Sequence, residues 1–206
     1  EAGGKAISLQ ADISSEPDVI RMFETVDREL GTLTALVNNA AVLAPQSRVE
    51  DLEIDRINQL FGVNITGSFL CAREAVRRMS TRNGGEGGAI VNVASVNGIK
   101  PAANQGIYSI TKAAVINMSQ AFAKECGEFN IRVNTLAPGL VETKFAEALH
   151  TNPELRKQVE SSIPISRIAQ PDEISTAALF LVSDAGSYTT ASCVTVDGGL
   201  LGAGGL

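Results

Sequence analysis

Residues 90–114 read IVNVASVNGIKPAANQGIYSITKAA, and the order of side chains in this stretch decides the fold. Ile90 to Val93 is a short apolar, β-branched run of the kind used by a buried strand. A polar loop follows, and a helical pattern then runs from about Tyr108 to Glu125. Ser95 falls just past the strand. Tyr108 and Lys112 are four apart, so they point along one helical face, and that face can meet Ser95. A hydroxyl, a phenol and an ammonium brought together suit proton transfer to and from a substrate oxygen. A free tyrosine titrates near pH ~10 and is a poor base at neutrality, but a neighbouring cation favours the phenolate. Lys112 is expected to be that cation and to lower the Tyr108 pKa, with the helix N-terminus acting in the same direction. A Tyr and a Lys four apart also fit a half-buried aromatic beside a solvated charge, so the surrounding chain has to decide.

Working outward, short apolar runs alternate with amphipathic helices. Lys5 to Gln10 is expected to be a strand, followed by Asp12 and Ile13. Ser15 is placed to cap a helix that has Pro17 in its first turn, Val19, Phe23, Val26 and Leu30 on one face, and Gly31 at its end. Leu33 to Val37 is a continuous apolar run suited to a strand buried on both faces, and it stops at Asn38-Asn39-Ala40-Ala41. A long helical region from about Asp55 to Met79 carries Asn64 and Gly67 in its middle. Both are poor helix-interior residues and suggest a local kink or a close approach. Asn83 to Gly88 is rich in glycine but precedes a strand and opens no helix, so it is expected to be a flexible linker, not a phosphate loop. Downstream, Ile131 to Leu136 and Cys193 to Val196 are strands. Two short helical pieces are expected between Glu142 and Ser161, and another helix after Pro171.

This alternation predicts an α/β fold: a doubly wound parallel sheet in three layers, forming a single domain over residues 1–206. Ligands bind such sheets beyond the carboxyl ends of the strands. Asp12, Asn39, Ser95 and Pro138-Gly139 each follow an expected strand and should therefore share one edge.

Composition excludes several other classes. Over 206 residues, 44% hydrophobic and 19% charged content is that of a globular chain, and a net charge of -6 argues against a nucleic-acid surface. Cys71, Cys126 and Cys193 lie in no paired spacing, which suits reduced thiols and a cytoplasmic home better than disulfides or a zinc site. No metal site is expected. No apolar run reaches the ~18 residues of a membrane span. His150 is the single histidine, and without a G-x-S-x-G elbow it is not expected to serve a Ser-His-Asp triad.

The full set of short motifs resembles the classical short-chain dehydrogenases/reductases. These motifs are Asp12, NNAA at 38–41, VNITGSF around Asn64, Ser95 with Tyr108 and Lys112, RVN at 132–134, PGLVET at 138–143 and VDGG at 196–199. The match covers nearly the whole chain, and the closest flavour is that of sugar dehydrogenases and 3-oxoacyl reductases. The resemblance implies a Rossmann-type NAD(P)-binding domain, a tetrad of Asn64, Ser95, Tyr108 and Lys112, and interconversion of a small alcohol and its carbonyl. By the same resemblance Tyr108 exchanges the proton, Ser95 holds the substrate oxygen, Lys112 binds the nicotinamide ribose, and Asn64 holds a water of the relay. Asp12 and Ile13 match the adenine contact, Asn39, Ala40 and Ala41 the adenosine-ribose side, and Pro138, Gly139, Val141 and Thr143 the nicotinamide side. NADP is taken as slightly preferred over NAD. A homodimer through the 55–79 and 108–125 helices is implied, with a tetramer through the C-terminal strand.

Three departures from the family pattern stand out. Ala41 replaces a glycine, adding a methyl that would matter if the backbone there needs the space. Thr190-Ala191 replaces Thr-Gly, which is expected to be a local matter. The third departure is larger, because the family's first strand, Gly-rich turn, helix and second strand have no counterpart in residues 1–206. The expected domain is therefore partial at its N-terminus, and Lys5 to Gln10 has no expected hydrogen-bonding neighbour. The alternative function is an inactive truncated remnant that keeps the fold and its assembly surfaces.

Overall fold

The computed structural model describes residues 3–143 and 152–202. Four parallel strands lie in sequence order: β1 (Ala35–Asn38), β2 (Gly88–Val93), β3 (Ile131–Pro138) and β4 (Cys193–Val196). Parallel neighbours require crossovers, and helices supply them. The helices are α1 (Glu16–Leu30), α2 (Ile54–Phe61), α3 (Ser68–Met79), α4 (Gly106–Cys126), α5 (Pro153–Ser162) and α6 (Pro171–Val182). The pairing Asn38↔Asn92↔Thr135 sets the register of β1, β2 and β3 so that their carboxyl ends lie at one edge.

The alternation of side chains along β2 sets the layers. Ile90 joins Val19 and Phe23 of α1, Leu70 and Met79 of α3, and Ala123 of α4 in one apolar cluster. Val91 points the other way, to Leu136 of β3 and Leu181 of α6. Helices therefore cover both faces of the sheet, which is the doubly wound, three-layer arrangement.

Several local expectations change. Lys5 to Gln10 forms no strand, because a strand needs a ladder partner and none is present among the described residues. β1 begins at Ala35, two residues after the expected Leu33, and lies at the edge of the sheet with Val37 44% exposed, as expected where the family's first strands have no counterpart among residues 1–206. Leu9 is likewise partly exposed. Ser15 precedes α1 but makes no side-chain cap, and the turn is held instead by Asp12, whose carboxylate accepts from Ser14 N and Oγ. The glycine-rich 83–88 segment is pinned, with Gly87 N donating to Met79 O and Gly88 N to Asn130 O. β3 runs on to Pro138, two residues past its expected end. Ala191 sits at φ 58, the left-handed region where glycine is favoured, while Ala41 is not among the positive-φ residues and needs no glycine.

The expected kink between Asp55 and Met79 is one turn of π-helix, Gly62–Gly67, between α2 and α3. A Cβ on Gly67 would lie 2.7 Å from Cγ1 of Ile13, so the absence of a side chain there lets the 12–15 turn close onto the helix. Phe145, Leu149 and His150, and one of the two helical pieces expected before Ser161, lie outside the described residues.

Candidate active site

The shared edge gathers chemistry from three places. Ser95 follows β2 in extended backbone, at φ -169 and ψ 158, and its hydroxyl accepts from Asn97 N at 3.2 Å. The Ser95 hydroxyl lies beside the Tyr108 phenol and favours its ionised form. The loop carrying Ser95 lies flat on α4 because a Cβ on Gly98 would lie 2.7 Å from the Lys112 carbonyl carbon. Only a glycine permits that approach, and it sets the serine against the tyrosine.

Lys112 is 4% exposed. Its ammonium donates to Val93 O at 2.9 Å and lies 5.6 Å from the centre of the Tyr108 ring. Burial pushes its pKa down from 10.5 to about 8. The expected lowering at Tyr108 does not occur in this state. Burial raises the phenol above its ordinary value, and the Ser95 hydroxyl offsets only part of that. The reason is geometric: Lys112 is held by a strand carbonyl and sits over the ring face.

Asn64 is 1% exposed and its side chain is fully engaged. Its Oδ1 accepts from Val42 N at 2.8 Å, and its Nδ2 donates to Val42 O at 3.0 Å and to Thr111 Oγ1 at 3.1 Å. Thr111 Oγ1 in turn donates to Tyr108 O at 2.7 Å. The amide thus clamps the segment after β1 to the first turns of α4. The π turn aims it there, as such turns do at functional sites.

Asn39, Ala40 and Ala41 follow β1, and Pro138 and Gly139 end β3, at the same edge as Ser95. Val141 bridges to Ala169, and the Thr143 hydroxyl is exposed within 3.4 Å of Val141 O. Asp12 follows no strand. It reaches this end of the molecule through the 12–15 turn, where Ile13 packs on Gly67 of the π segment.

Sequence reasoning missed a buried relay beneath the site. Asn38 Nδ2 donates to Asn92 Oδ1 at 2.9 Å, Asn92 Nδ2 to Ser119 Oγ at 2.9 Å, and Ser119 Oγ to Val115 O at 2.8 Å. The clue was Asn92, a lone amide inside an apolar strand, which must find partners in the core.

One donor and one acceptor suit a dinucleotide. Lys112 uses one of its three N–H groups on Val93 O, leaving two for a diol, and Asp12 spends only Oδ1 on the local turn. Among the described residues no cluster of His, Cys, Asp or Glu could hold a metal, and no helix is long and apolar enough to cross a membrane.

A parallel sheet with Ser, Tyr and Lys gathered beyond its strand ends defines the class of the short-chain oxidoreductases. A family model described as enoyl-(acyl carrier protein) reductase matches residues 1–201. The chain belongs to the short-chain dehydrogenase/reductase family. It is 42% identical over 200 residues to the uncharacterized oxidoreductase YgfF of Escherichia coli, covering 97% of this chain and 81% of the relative. Among solved structures it is similar to a short-chain type dehydrogenase/reductase from Mycobacterium marinum, with TM-score 0.88 and 32% identity, covering 96% of this chain and 76% of that one. It is also similar to a gluconate 5-dehydrogenase from Burkholderia cenocepacia in complex with NADP and tartrate, with TM-score 0.86 and 29% identity, covering 93% of this chain and 73% of that one.

Proposed function

We propose that the protein interconverts an alcohol and its carbonyl with NAD(P), using Ser95, Tyr108, Lys112 and Asn64. The observation that carries this reading is the Ser95 hydroxyl beside the Tyr108 phenol, next to the buried Lys112 ammonium. Asp12, Ile13, Asn39, Ala40 and Ala41 would hold the adenosine end of the cofactor. Lys112, Pro138, Gly139, Val141 and Thr143 would hold the nicotinamide end. When bound, the nicotinamide accepts or supplies the C–H bonding pair of the carbinol carbon. Ser95 holds the substrate oxygen, and the phenol of Tyr108 gives it a proton in reduction, while the Tyr108 phenolate takes one in oxidation. Asn64 acts by fixing α4 against the 42 segment.

The NADP in the Burkholderia structure supports NADP as the cofactor to test first. The gathering of Ser95, Tyr108 and Lys112 supports an enzyme over a remnant that keeps only the fold and its assembly surfaces. Free, mostly buried thiols support a reducing, cytoplasmic home. A homodimer across α3 and α4 is part of this proposal, since Phe69 and Ile110 stand exposed on those helices.

The test is Tyr108→Phe in the protein expressed from its complete reading frame. The kcat should fall by at least about 10²-fold, with cofactor affinity little changed. Near-normal turnover removes Tyr108 from the chemistry.

A further inference from the structure

One pair of side chains beside Ser95 is not used by this mechanism. Asn97 Nδ2 donates to Gln105 Oε1 at 2.7 Å. Asn97 is also the residue whose backbone N–H holds the Ser95 hydroxyl, so the pair stands one step from the place where a substrate oxygen would rest. Gln105 occupies the position before α4 where a side chain commonly caps the helix, yet it makes no cap and turns to Asn97 instead. The turn that delivers it contains Asn104 at φ 60, and that turn is tied to the opposite wall by Ser47 N donating to Asn104 O at 2.9 Å. The two amides are thus held from both sides and half-buried beside the Ser95 loop.

The unspent capacity of the pair decides what it prefers to meet. Two carboxamides offer four N–H groups and two carbonyl oxygens, and their mutual bond uses one of each. Whichever way round the amide atoms are assigned, the pair keeps an acceptor oxygen and donor N–H groups unspent. An alkyl group placed there would strip water from these groups and return nothing, and a site built to hydrogen-bond a hydroxyl rejects the analogue lacking it much more strongly than an apolar pocket rejects a spare methylene. One hydroxyl, as donor and acceptor together, satisfies both amides.

We propose that the Asn97–Gln105 pair reads a second hydroxyl beside the reacting carbon, so that the substrates are vicinal diols and the matching α-hydroxy carbonyl compounds. This rests on the dehydrogenase reading above. The oxidation is balanced by that chemistry: the carbinol C–H pair goes to the nicotinamide, the O–H proton goes to the Tyr108 phenolate to give the phenol, and the second hydroxyl is unchanged.

The experiment compares kcat/KM for cis-vicinal cyclohexanediol and cyclohexanol with NADP and NAD, using the protein expressed from its complete reading frame. The wild type should favour the diol by at least about 10-fold, and Gln105→Leu should bring the ratio to within about 2-fold, because the readout is a ratio that a general loosening of the Ser95 loop leaves unmoved. If Gln105→Leu does not fold, Asn97→Ala carries the same expectation, and the wild-type ratio is a test by itself. Oxidation of cyclohexanol as readily as the diol overturns this proposal and leaves the dehydrogenase reading standing. A diol preference kept in both variants also overturns it. Oxidation of neither alcohol overturns both.

Discussion

Lys112 shows how burial and function oppose each other at one residue. With its pKa moved from 10.5 to about 8, the folded protein releases the lysine proton more readily than the unfolded chain does. Below pH 8 both states carry the charge and the fold bears the whole burial penalty, about 3 kcal/mol by linkage. Stability from this group rises between pH 8 and 10.5, as the folded state deprotonates first, and is complete above that range. Lys112→Met should therefore stabilise the fold at pH 7, by up to about 3 kcal/mol, and the gain should shrink by pH 9.5. Urea unfolding of both proteins at the two pH values checks this, and an equal difference at both would refute it. The same variant should abolish turnover. Tyr108 can be followed directly, because the chain has no tryptophan and two tyrosines, the other being the fully exposed Tyr188. In Tyr188→Phe the ultraviolet phenolate signal should appear above the ordinary tyrosine range, since burial raises the Tyr108 pKa.

At the scale of elements, the Gly98 contact is the one on which the Ser95–Tyr108 pair depends. Gly98→Ala forces the loop off α4 by the overlap with the Lys112 carbonyl, and overpacking of this kind costs roughly 1–3 kcal/mol. Its kcat should fall by about 10-fold or more while KM for the cofactor moves less, which steady-state kinetics will show. Much of this geometry was legible in the sequence. The apolar run of β2, the four-residue spacing of Tyr108 and Lys112, and the unsuitability of Asn64 and Gly67 for a helix interior each marked a real feature. Three things were not legible. Local composition does not mark where a ladder begins, so β1 was expected from Leu33 and starts at Ala35. The same apolar alternation at Lys5 to Gln10 suggested a strand, although strands are made by partners. The sign of the Tyr108 shift depends on where the Lys112 ammonium is tied, a distance that no spacing rule contains.

For the whole molecule, the exposed apolar side chains and the cofactor contacts point to two measurements. Ile110 is 56% and Phe69 45% exposed, on helices α4 and α3, and Phe69 is already packed edge-on against Phe122 at 5.1 Å. If that face joins two copies, Ile110→Glu should convert a dimer to a monomer in light scattering at micromolar concentration, and an unchanged mass would exclude the face. Among the described residues no Gly-rich turn joins a strand to a helix, so the proposed contacts address the two ends of a dinucleotide and add no backbone N–H groups at its charged middle. Calorimetric titration of this 206-residue chain with NADPH should give a Kd no tighter than about 1 mM. Micromolar binding would mean that another group supports the pyrophosphate.

The clamp of Asn64 on Val42 has a consequence for how the site reports its own opening. The Val42 N–H lies in an irregular segment but is bonded to a buried side chain instead of a strand or helix carbonyl. In deuterium exchange it should stand out as a slow amide among fast neighbours, with a protection factor set by the opening of the π turn and not by local unfolding of the loop. Asn64→Ala should release that single amide, giving a residue-resolved clock for the motion that separates α4 from the segment after β1.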